Sequence, residues 1–78
     1  MIINLNWNMS QDIRQRIAKN VKFYREQNKF KKEELSLILG FDNSYISKLE
    51  KGRINITIDK LAHIANILEI DIAELLTK

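Results

Sequence analysis

Short hydrogen-bonding and cationic side chains recur along one stretch of the chain at spacings of three and four residues. They are Asn43, Ser44, Ser47, Lys48 and Lys51. Residues three and four apart share one face of an α-helix, so a helix here presents a continuous polar face. An Asn amide can pair with adenine, a Lys ammonium can donate to guanine O6 and N7, and a Ser hydroxyl suits several bases. A face of this kind has the chemistry of base reading in the DNA major groove.

The residues on either side of this polar face are typical of two helices joined by a tight turn. An apolar run within residues 32–39 stops at Gly40, and Gly is well suited to a helix end with positive φ. Ile46 and Leu49 lie three positions apart, so they are predicted to point inward while the polar residues point outward. A helix, a short turn that contains Gly and a second helix form the helix-turn-helix pattern, with the reading helix over residues 43–51.

Further helices are expected from capping residues and apolar spacing. Ser10 is suited to cap the first helix. Asp71 and Glu74 have the spacing of a capping box, which predicts a short fifth helix at the end of the sequence. We therefore predict an all-α, five-helix domain over residues 10–78, preceded by a short N-terminal arm over residues 1–9.

The helix-turn-helix segment resembles the Xre-type, phage-repressor-like helix-turn-helix family. The matching residues are Glu34, Leu35, Gly40, the run from Tyr45 to Gly52, Leu61, Ile64, Ala65 and Leu68. The resemblance covers roughly residues 13–76 and implies a lambda-repressor-like fold that binds DNA. It implies that Asn43, Ser44 and Lys48 approach base edges. Ser47 could reach either a base or a phosphate, and we group it with the base-reading residues. The resemblance also implies that Glu50 forms an ion pair with Arg25 of the first helix. The chain departs from the family pattern at Lys31 and Lys32, where a hydroxyl cap followed by Gln is usual. In its small size the chain resembles the small controller proteins of restriction-modification systems, and also minimal phage repressors.

Further cationic and polar residues flank the predicted reading helix. Lys31 and Lys32 begin the second helix, where positive charge opposes the helix dipole unless an anion binds there. An ordinary exposed loop is the alternative for these two lysines. Tyr45 could contact a phosphate or a thymine methyl, or it could simply pack beside the first helix. The residues predicted to contact phosphate, which position a protein on DNA without specifying sequence, are Lys31, Lys32, Tyr45, Lys51, Arg53 and Asn55.

Positive charge gathers in the part of the chain that contains the helix-turn-helix pattern. Residues 1–53 hold eleven Lys or Arg and six acidic residues, a net charge of +5. Residues 54–78 hold two Lys and four acidic residues, a net charge of −2. Such asymmetry is expected of a protein that binds a polyanion, although uneven halves also arise by chance.

Composition argues against several other classes of protein. The chain has no Cys and one His, which excludes zinc fingers and thiol catalysis. No nucleophile–base pair, paired carboxylates or metal-ligand set is evident, so we expect no enzyme, cofactor, metal or small-molecule ligand. No apolar run approaches the roughly 20 residues that span a bilayer. The absence of Cys fits a reducing cytoplasm, which is the expected location.

Residues 3–9 have the alternating pattern of a β-strand. Ile3, Leu5, Trp7 and Met9 alternate with three Asn residues, and a period of two is typical of strands. A lone strand leaves its backbone groups without partners, so this arm could pair with the same arm of a second subunit. A frayed tail is the alternative. An arm along DNA is disfavoured because residues 1–13 contain no Lys or Arg.

A homodimer on a two-fold DNA operator is the expected functional form. A core of this size rarely supplies more than about 3–5 kcal/mol of net stability, and association of subunits often adds to it. The candidates for subunit contact are Ile3, Leu5, Trp7, Ile54, Ile56 and Ile67. The competing interpretation is a protein-interaction module, such as an antitoxin or adaptor. The polar reading face argues against it, since protein-binding faces carry aromatic or Met anchors.

Overall fold

Four α-helices and one short 3₁₀ helix make up the part of the chain that the structure, a computed structural model, describes. This part is residues 5–78, with side chains described from residue 9 onward. The α-helices are α1 (Leu5–Gln27), α2 (Lys32–Leu39), α3 (Tyr45–Glu50) and α4 (Ile58–Leu68), and the 3₁₀ helix is Ile72–Leu75. No strand occurs within residues 5–78. The predicted all-α class is therefore confirmed.

The first helix corrects the prediction of an extended arm. Residues 5–9 are α-helical and continue directly into α1, so they form no strand, and the predicted boundary at residue 10 lies inside the helix. Ile3 lies outside the described residues. The alternating pattern wrongly predicted a strand, because Leu5, Met9 and Ile13 also recur every four positions, a spacing that suits a helix. No Pro or Gly interrupts the segment, so the helix can extend to its first described residue.

The core lies where the four α-helices and the 3₁₀ helix meet. The buried apolar residues are Ile17, Ala18, Val21, Leu35, Leu39, Ile46, Leu49, Leu61, Ile64, Ala65, Leu68 and Leu75. On α4 the buried positions recur at spacings of three and four, which is the inward stripe of an amphipathic helix. α3 packs against both α1 and α2. The core therefore fixes the reading helix from two sides.

The end of the chain forms a 3₁₀ helix in place of the predicted fifth α-helix. The Asp71 side chain accepts a hydrogen bond from the Ala73 backbone N–H at 2.9 Å, so the first half of the predicted capping box is present. Glu74 does not complete the box, because its carboxylate accepts from the Tyr24 hydroxyl at 2.7 Å. Leu75 is fully buried. The segment is thus tied to α1 and ends after four residues.

Three residues predicted to contact a second subunit pack largely on their own core. Ile54, Ile56 and Ile67 are half-buried against the core cluster. Each keeps part of its surface exposed, so a role in subunit contact stays a prediction. The large apolar side chains with the greatest exposure within the described part are instead Leu37 and Ile58, at 76% and 77%.

Candidate nucleic-acid interface

The turn between α2 and α3 is formed around Gly40. This residue has φ +78°, in the left-handed region that favours Gly. Its N–H donates to the Leu37 carbonyl at 3.0 Å, and the Phe41 N–H donates to the Ser36 carbonyl at 2.9 Å. These bonds satisfy the last free carbonyls of α2. The chain leaves α2 at Gly40, and α3 begins at Tyr45, two residues later than the sequence predicts.

Asp42 organises the residues just before α3. Its Oδ2 atom accepts a hydrogen bond from the Ser44 backbone N–H at 3.2 Å and a second one from the Ser44 hydroxyl. The hydroxyl of Ser44 is the main reason that the pKa of the Asp42 carboxyl lies below its ordinary value, and the charge of Lys48 adds to the effect. Asp42 therefore carries its negative charge beside the start of α3.

The predicted base-reading residues lie together at the start of α3. Asn43 and Lys48 are exposed, and Ser44 and Ser47 are half-buried. The Lys48 backbone N–H donates to the Ser44 carbonyl at 3.0 Å, so Lys48 lies one helical turn beyond Ser44. On the opposite side of the helix, the apolar residues that the sequence predicts to point inward are buried. The polar side of α3 is therefore presented to the solvent.

A buried hydroxyl that the sequence analysis did not single out anchors α3 to α2. Ser36 is fully buried. Its hydroxyl donates to the Lys32 carbonyl at 2.9 Å and accepts from the Ile46 backbone N–H at 3.1 Å. The first N–H groups of a helix have no partner inside the helix, so Ser36 supplies one from outside. The signal in the sequence was a lone Ser within an otherwise apolar run on α2.

Arg25 and Glu50 form the ion pair that the family resemblance implies. Arg25 Nε lies 2.6 Å from Glu50 Oε2, and Arg25 Nη2 lies 3.1 Å from Glu50 Oε1. Arg25 Nη1 also donates to the Phe30 carbonyl at 2.8 Å. Both charged side chains are more than nine-tenths buried, and the bond to Glu50 raises the pKa of Arg25. A bidentate pair of this kind fixes the direction of approach as well as the distance, so it holds the end of α3 against α1.

The two lysines at the start of α2 are exposed, as a phosphate contact requires. Two acidic residues of the first turn, Glu33 and Glu34, lie beside them. The Glu34 carboxylate accepts from the Lys31 backbone N–H at 3.1 Å. Acidic groups at this end of a helix offset the unfavourable effect of the lysines on the helix dipole. Lys31 and Lys32 therefore do not need a bound anion in order to be stable where they lie.

Tyr45 does not offer its hydroxyl to a phosphate, which corrects the prediction made for it. The ring packs on Phe41 with centroids 4.6 Å apart. The Nζ atom of Lys60 lies 5.3 Å from the Tyr45 centroid and 5.4 Å from the Phe41 centroid. The hydroxyl is buried without a hydrogen-bond partner among the described residues, and burial raises its pKa. Tyr45 thus joins α3 to the first turn of α4, and Lys60 is a cation near the reading helix that sequence analysis overlooked.

The segment after α3 presents polar side chains at alternate positions. Gly52 has φ +72° and lies against α1, where an added Cβ would come 2.9 Å from Gln15 Nε2. Arg53 and Asn55 are exposed, whereas Ile54 is half-buried against the core. Lys51, at the end of α3, is also exposed. The predicted phosphate contacts on this side are therefore accessible to a large ligand.

Neither a metal-ligand cluster nor a membrane-spanning helix is found in the part of the chain that the structure describes. Within residues 5–78, no group of three or more His, Cys, Asp or Glu side chains is placed to hold a metal ion. No helix within the same range is both long and apolar enough to cross a bilayer.

Comparison with known proteins places this arrangement in a family. A family model described as a helix-turn-helix domain matches residues 18–78. The chain is 34% identical over 67 residues to Control protein C.SmaI from Serratia marcescens, covering 86% of this chain and 80% of that protein. It is also similar to a hypothetical transcription factor, NHTF, from Neisseria, with a TM-score of 0.82, 31% identity, and coverage of 87% of this chain and 78% of the other.

A third likeness shows that the fold also occurs inside an enzyme. Hydroxypropylphosphonic acid epoxidase from S. wedmorenis has a TM-score of 0.81 and 26% identity to this chain. The match covers 86% of this chain but 36% of the epoxidase, so most of the epoxidase lies outside the matched region.

The match to the helix-turn-helix family model covers most of the chain and includes all of α2, α3 and α4. On this evidence the chain belongs to the Xre-type helix-turn-helix family of DNA-binding transcriptional regulators.

Proposed function

We propose that the chain binds a specific double-stranded DNA sequence by placing the start of α3 in the major groove. The observation that carries this proposal is the division of α3 into two sides. Ile46 and Leu49 are buried, while Asn43 and Lys48 are exposed. A recognition helix needs exposed polar groups near its N-terminus and a rigid connection to the rest of the domain. The bonds from Ser36 and Arg25 supply that connection.

The polar residues divide into two roles on the proposed DNA. Asn43, Ser44, Ser47 and Lys48 read base edges, because their amide, hydroxyl and ammonium groups suit the donors and acceptors of the major groove. Lys31, Lys32, Lys51, Arg53 and Asn55 contact phosphates, because they are exposed on either side of α3. Tyr45 is left out of the second group, since its hydroxyl is buried.

The proposed complex is a homodimer on a two-fold operator, with half-sites about 34 Å apart. A reading helix of six residues can make only a few base contacts, and two subunits double their number. The similarity to Control protein C.SmaI supports a regulatory role of the controller type, in which protein concentration sets operator occupancy. The cytoplasm is the proposed site of action.

The alternative is a module that uses the same fold to bind another protein. The likeness to an epoxidase shows that the fold also occurs within an enzyme, and a fold alone does not determine the ligand. The exposed side of α3 favours DNA, because it carries amide, hydroxyl and ammonium groups and no exposed aromatic anchor between Asn43 and Lys51. Protein-binding faces bury aromatic or Met anchors at their centres.

Selection from a random duplex pool tests the proposal. The protein should enrich one sequence with two-fold symmetry, and its affinity for that duplex should fall steeply as salt rises. Analytical ultracentrifugation with and without the selected duplex gives the number of subunits bound. Failure to enrich any duplex, together with affinity that is insensitive to salt, would reject DNA as the ligand. Enrichment of a single asymmetric half-site by a monomer would reject the homodimer alone.

A further inference from the structure

The hydroxyl of Ser44 has its hydrogen committed to a neighbouring residue. It donates to Oδ2 of Asp42, and the same oxygen accepts from the Ser44 backbone N–H at 3.2 Å. A Ser hydroxyl carries one hydrogen and two acceptor lone pairs. With the hydrogen bound to Asp42, the Ser44 oxygen has only acceptor capacity left for another partner.

Asp42 holds the hydrogen more firmly than a base could. An ionised carboxylate is an acceptor only, and hydrogen bonds to a charged acceptor are roughly twice as strong as those between neutral groups. The lowered pKa of Asp42 keeps this carboxylate charged at neutral pH. The carbonyl oxygens of guanine and thymine are neutral acceptors, so moving the Ser44 hydrogen from Asp42 to either one replaces a stronger bond by a weaker one.

We propose that Ser44 reads DNA as a hydrogen-bond acceptor and therefore selects a base with an amino group at the position it faces. In the major groove, cytosine presents such a donor at N4 and adenine presents one at N6, whereas guanine and thymine present acceptors. The proposal rests on the DNA-binding function given above and adds the class of base at one operator position. Asp42, which sets the direction of the Ser44 hydrogen bond, is the positioning residue.

Lys48 has the opposite polarity one turn further along α3. Its ammonium donates and cannot accept. The Lys48 backbone N–H donates to the Ser44 carbonyl at 3.0 Å, and this bond fixes the separation of the two residues along the helix. The structure therefore assigns an acceptor at Ser44 and a donor at Lys48. The operator positions they face should differ in class, with an amino-bearing base opposite Ser44 and an acceptor-bearing base opposite Lys48.

The first experiment compares the selected duplexes of the wild type and the Ser44→Ala variant. The operator position whose base preference disappears in the variant is the one that Ser44 faces. At this position the wild type should bind duplexes with adenine or cytosine about tenfold more tightly than those with guanine or thymine, in keeping with one hydrogen bond. A second set of duplexes replaces adenine by hypoxanthine, or cytosine by uracil, and carries the matching opposite base. Each replacement exchanges the amino group for a carbonyl. The wild type should lose about the same factor, and Ser44→Ala should lose little.

Two substitutions of Asp42 then separate hydrogen-bond direction from charge. Asp42→Asn keeps an oxygen that can accept from the Ser44 hydroxyl but makes that acceptor neutral, so the base preference should weaken while affinity for every duplex rises with the loss of negative charge. Asp42→Ala frees the hydroxyl to donate, so the preference should fall from about tenfold to about twofold or less. Circular dichroism of each variant establishes that it is folded.

The inference is overturned if the Ser44-dependent position favours guanine or thymine in the wild type, or if no position depends on Ser44. It is equally overturned if folded Asp42→Ala keeps the full wild-type preference. Should Asp42→Ala fail to fold, the base replacements with wild-type protein decide the question by themselves. Failure of the wild type to select any duplex is a separate result, which rejects the proposed DNA-binding function and the inference with it.

Discussion

The buried hydroxyl of Ser36 on α2 accepts a hydrogen bond from the backbone N–H of Ile46 on α3, over 3.1 Å. The residue at the usual capping position of α3, Ser44, accepts no such bond from the helix, and its hydroxyl donates to Asp42. The free N–H of Ile46 is thus satisfied from the neighbouring helix. This bond makes the placement of the reading helix depend on α2 as well as on the hydrophobic core.

Ser36→Ala should therefore lower the free energy of unfolding. The substitution leaves the buried Ile46 N–H without a partner, which costs about 1–3 kcal/mol of unfolding free energy. Urea unfolding measures this change, and Ser47→Ala is a matched control because Ser47 is half-buried on α3. The control should change stability by less than about 0.5 kcal/mol. Equal stability losses in the two variants would contradict the role given to Ser36.

The Arg25–Glu50 pair should show strong energetic coupling. Both side chains are more than nine-tenths buried, and removal of one partner from a buried pair costs about 3–5 kcal/mol. Because such losses approach the stability of a small domain, Arg25→Lys and Glu50→Gln are the better substitutions for a double-mutant cycle. Lys cannot reproduce the two parallel bonds of the guanidinium, so we expect a coupling energy above about 0.5 kcal/mol.

The pair between Asp12 and Arg16 is an internal control for that cycle. It is an i, i+4 pair on α1 with side chains 52% and 28% exposed, and pairs of this kind contribute about 0.3–0.5 kcal/mol. Coupling at Arg25 and Glu50 no larger than that of the exposed pair would mean that the buried pair does not hold α3 in place.

Lys31→Ala and Lys48→Ala remove the same charge but should affect DNA binding differently. Loss of a phosphate contact at Lys31 weakens binding to all sequences alike and lowers the salt slope by about one unit. Loss of a base contact at Lys48 relaxes one operator position, with a cost of about 1–3 kcal/mol against the preferred base. Fluorescence anisotropy with a set of single-base variants at several salt concentrations separates the two effects. Lys22→Ala, on the exposed surface of α1, is the control for loss of charge alone. Identical behaviour of the Lys31 and Lys48 variants would refute the division into the two roles.

Ser44→Ala should raise the pKa of Asp42. The Ser44 hydroxyl is the largest cause of its depression, and removing this donor destabilises the charged carboxylate. Because the folded-state pKa lies below the unfolded value, Asp42 contributes stability above the unfolded pKa and loses it as pH falls through the folded pKa. In the variant the folded-state pKa lies closer to the unfolded value, so this contribution should be smaller and its loss should be complete at a higher pH. Carbon-13 NMR titration of the carboxyl groups measures the change. An unchanged Asp42 titration would mean that the hydroxyl does not donate to it in solution.

Gly40→Ala and Gly52→Ala should destabilise the protein by similar amounts. Both positions have positive φ, +78° and +72°, where a residue with a Cβ costs roughly 1–2 kcal/mol. A Cβ at Gly40 meets nothing within 4 Å, whereas one at Gly52 meets the flexible end of Gln15. Because that end can move, the contact should add little. Thermal unfolding tests this expectation, and a much larger loss at Gly52 would show that Gln15 is held rigidly against α3.

The sequence alone was sufficient for the helix-turn-helix segment, because local rules govern it. Gly40 supplies the positive φ that ends α2, and the spacing of Ile46 and Leu49 fixes which side of α3 faces the core. The exposure of Asn43 and Lys48 follows from that spacing. The Arg25–Glu50 pair was implied by the family resemblance, since no local pattern joins two residues on separate helices.

Only the tertiary structure decided the features that depend on partners distant in sequence. Residues 5–9 alternate like a strand, yet they continue α1, since their spacing fits a helical row as well as a strand. Glu74 bonds to Tyr24 rather than completing a capping box, and Tyr45 buries its hydroxyl against neighbours on other elements. Ser36 reaches Ile46 only because α2 and α3 pack closely. Periodicity records which side of an element is apolar, but the partner of a polar group is determined by the packing of whole helices.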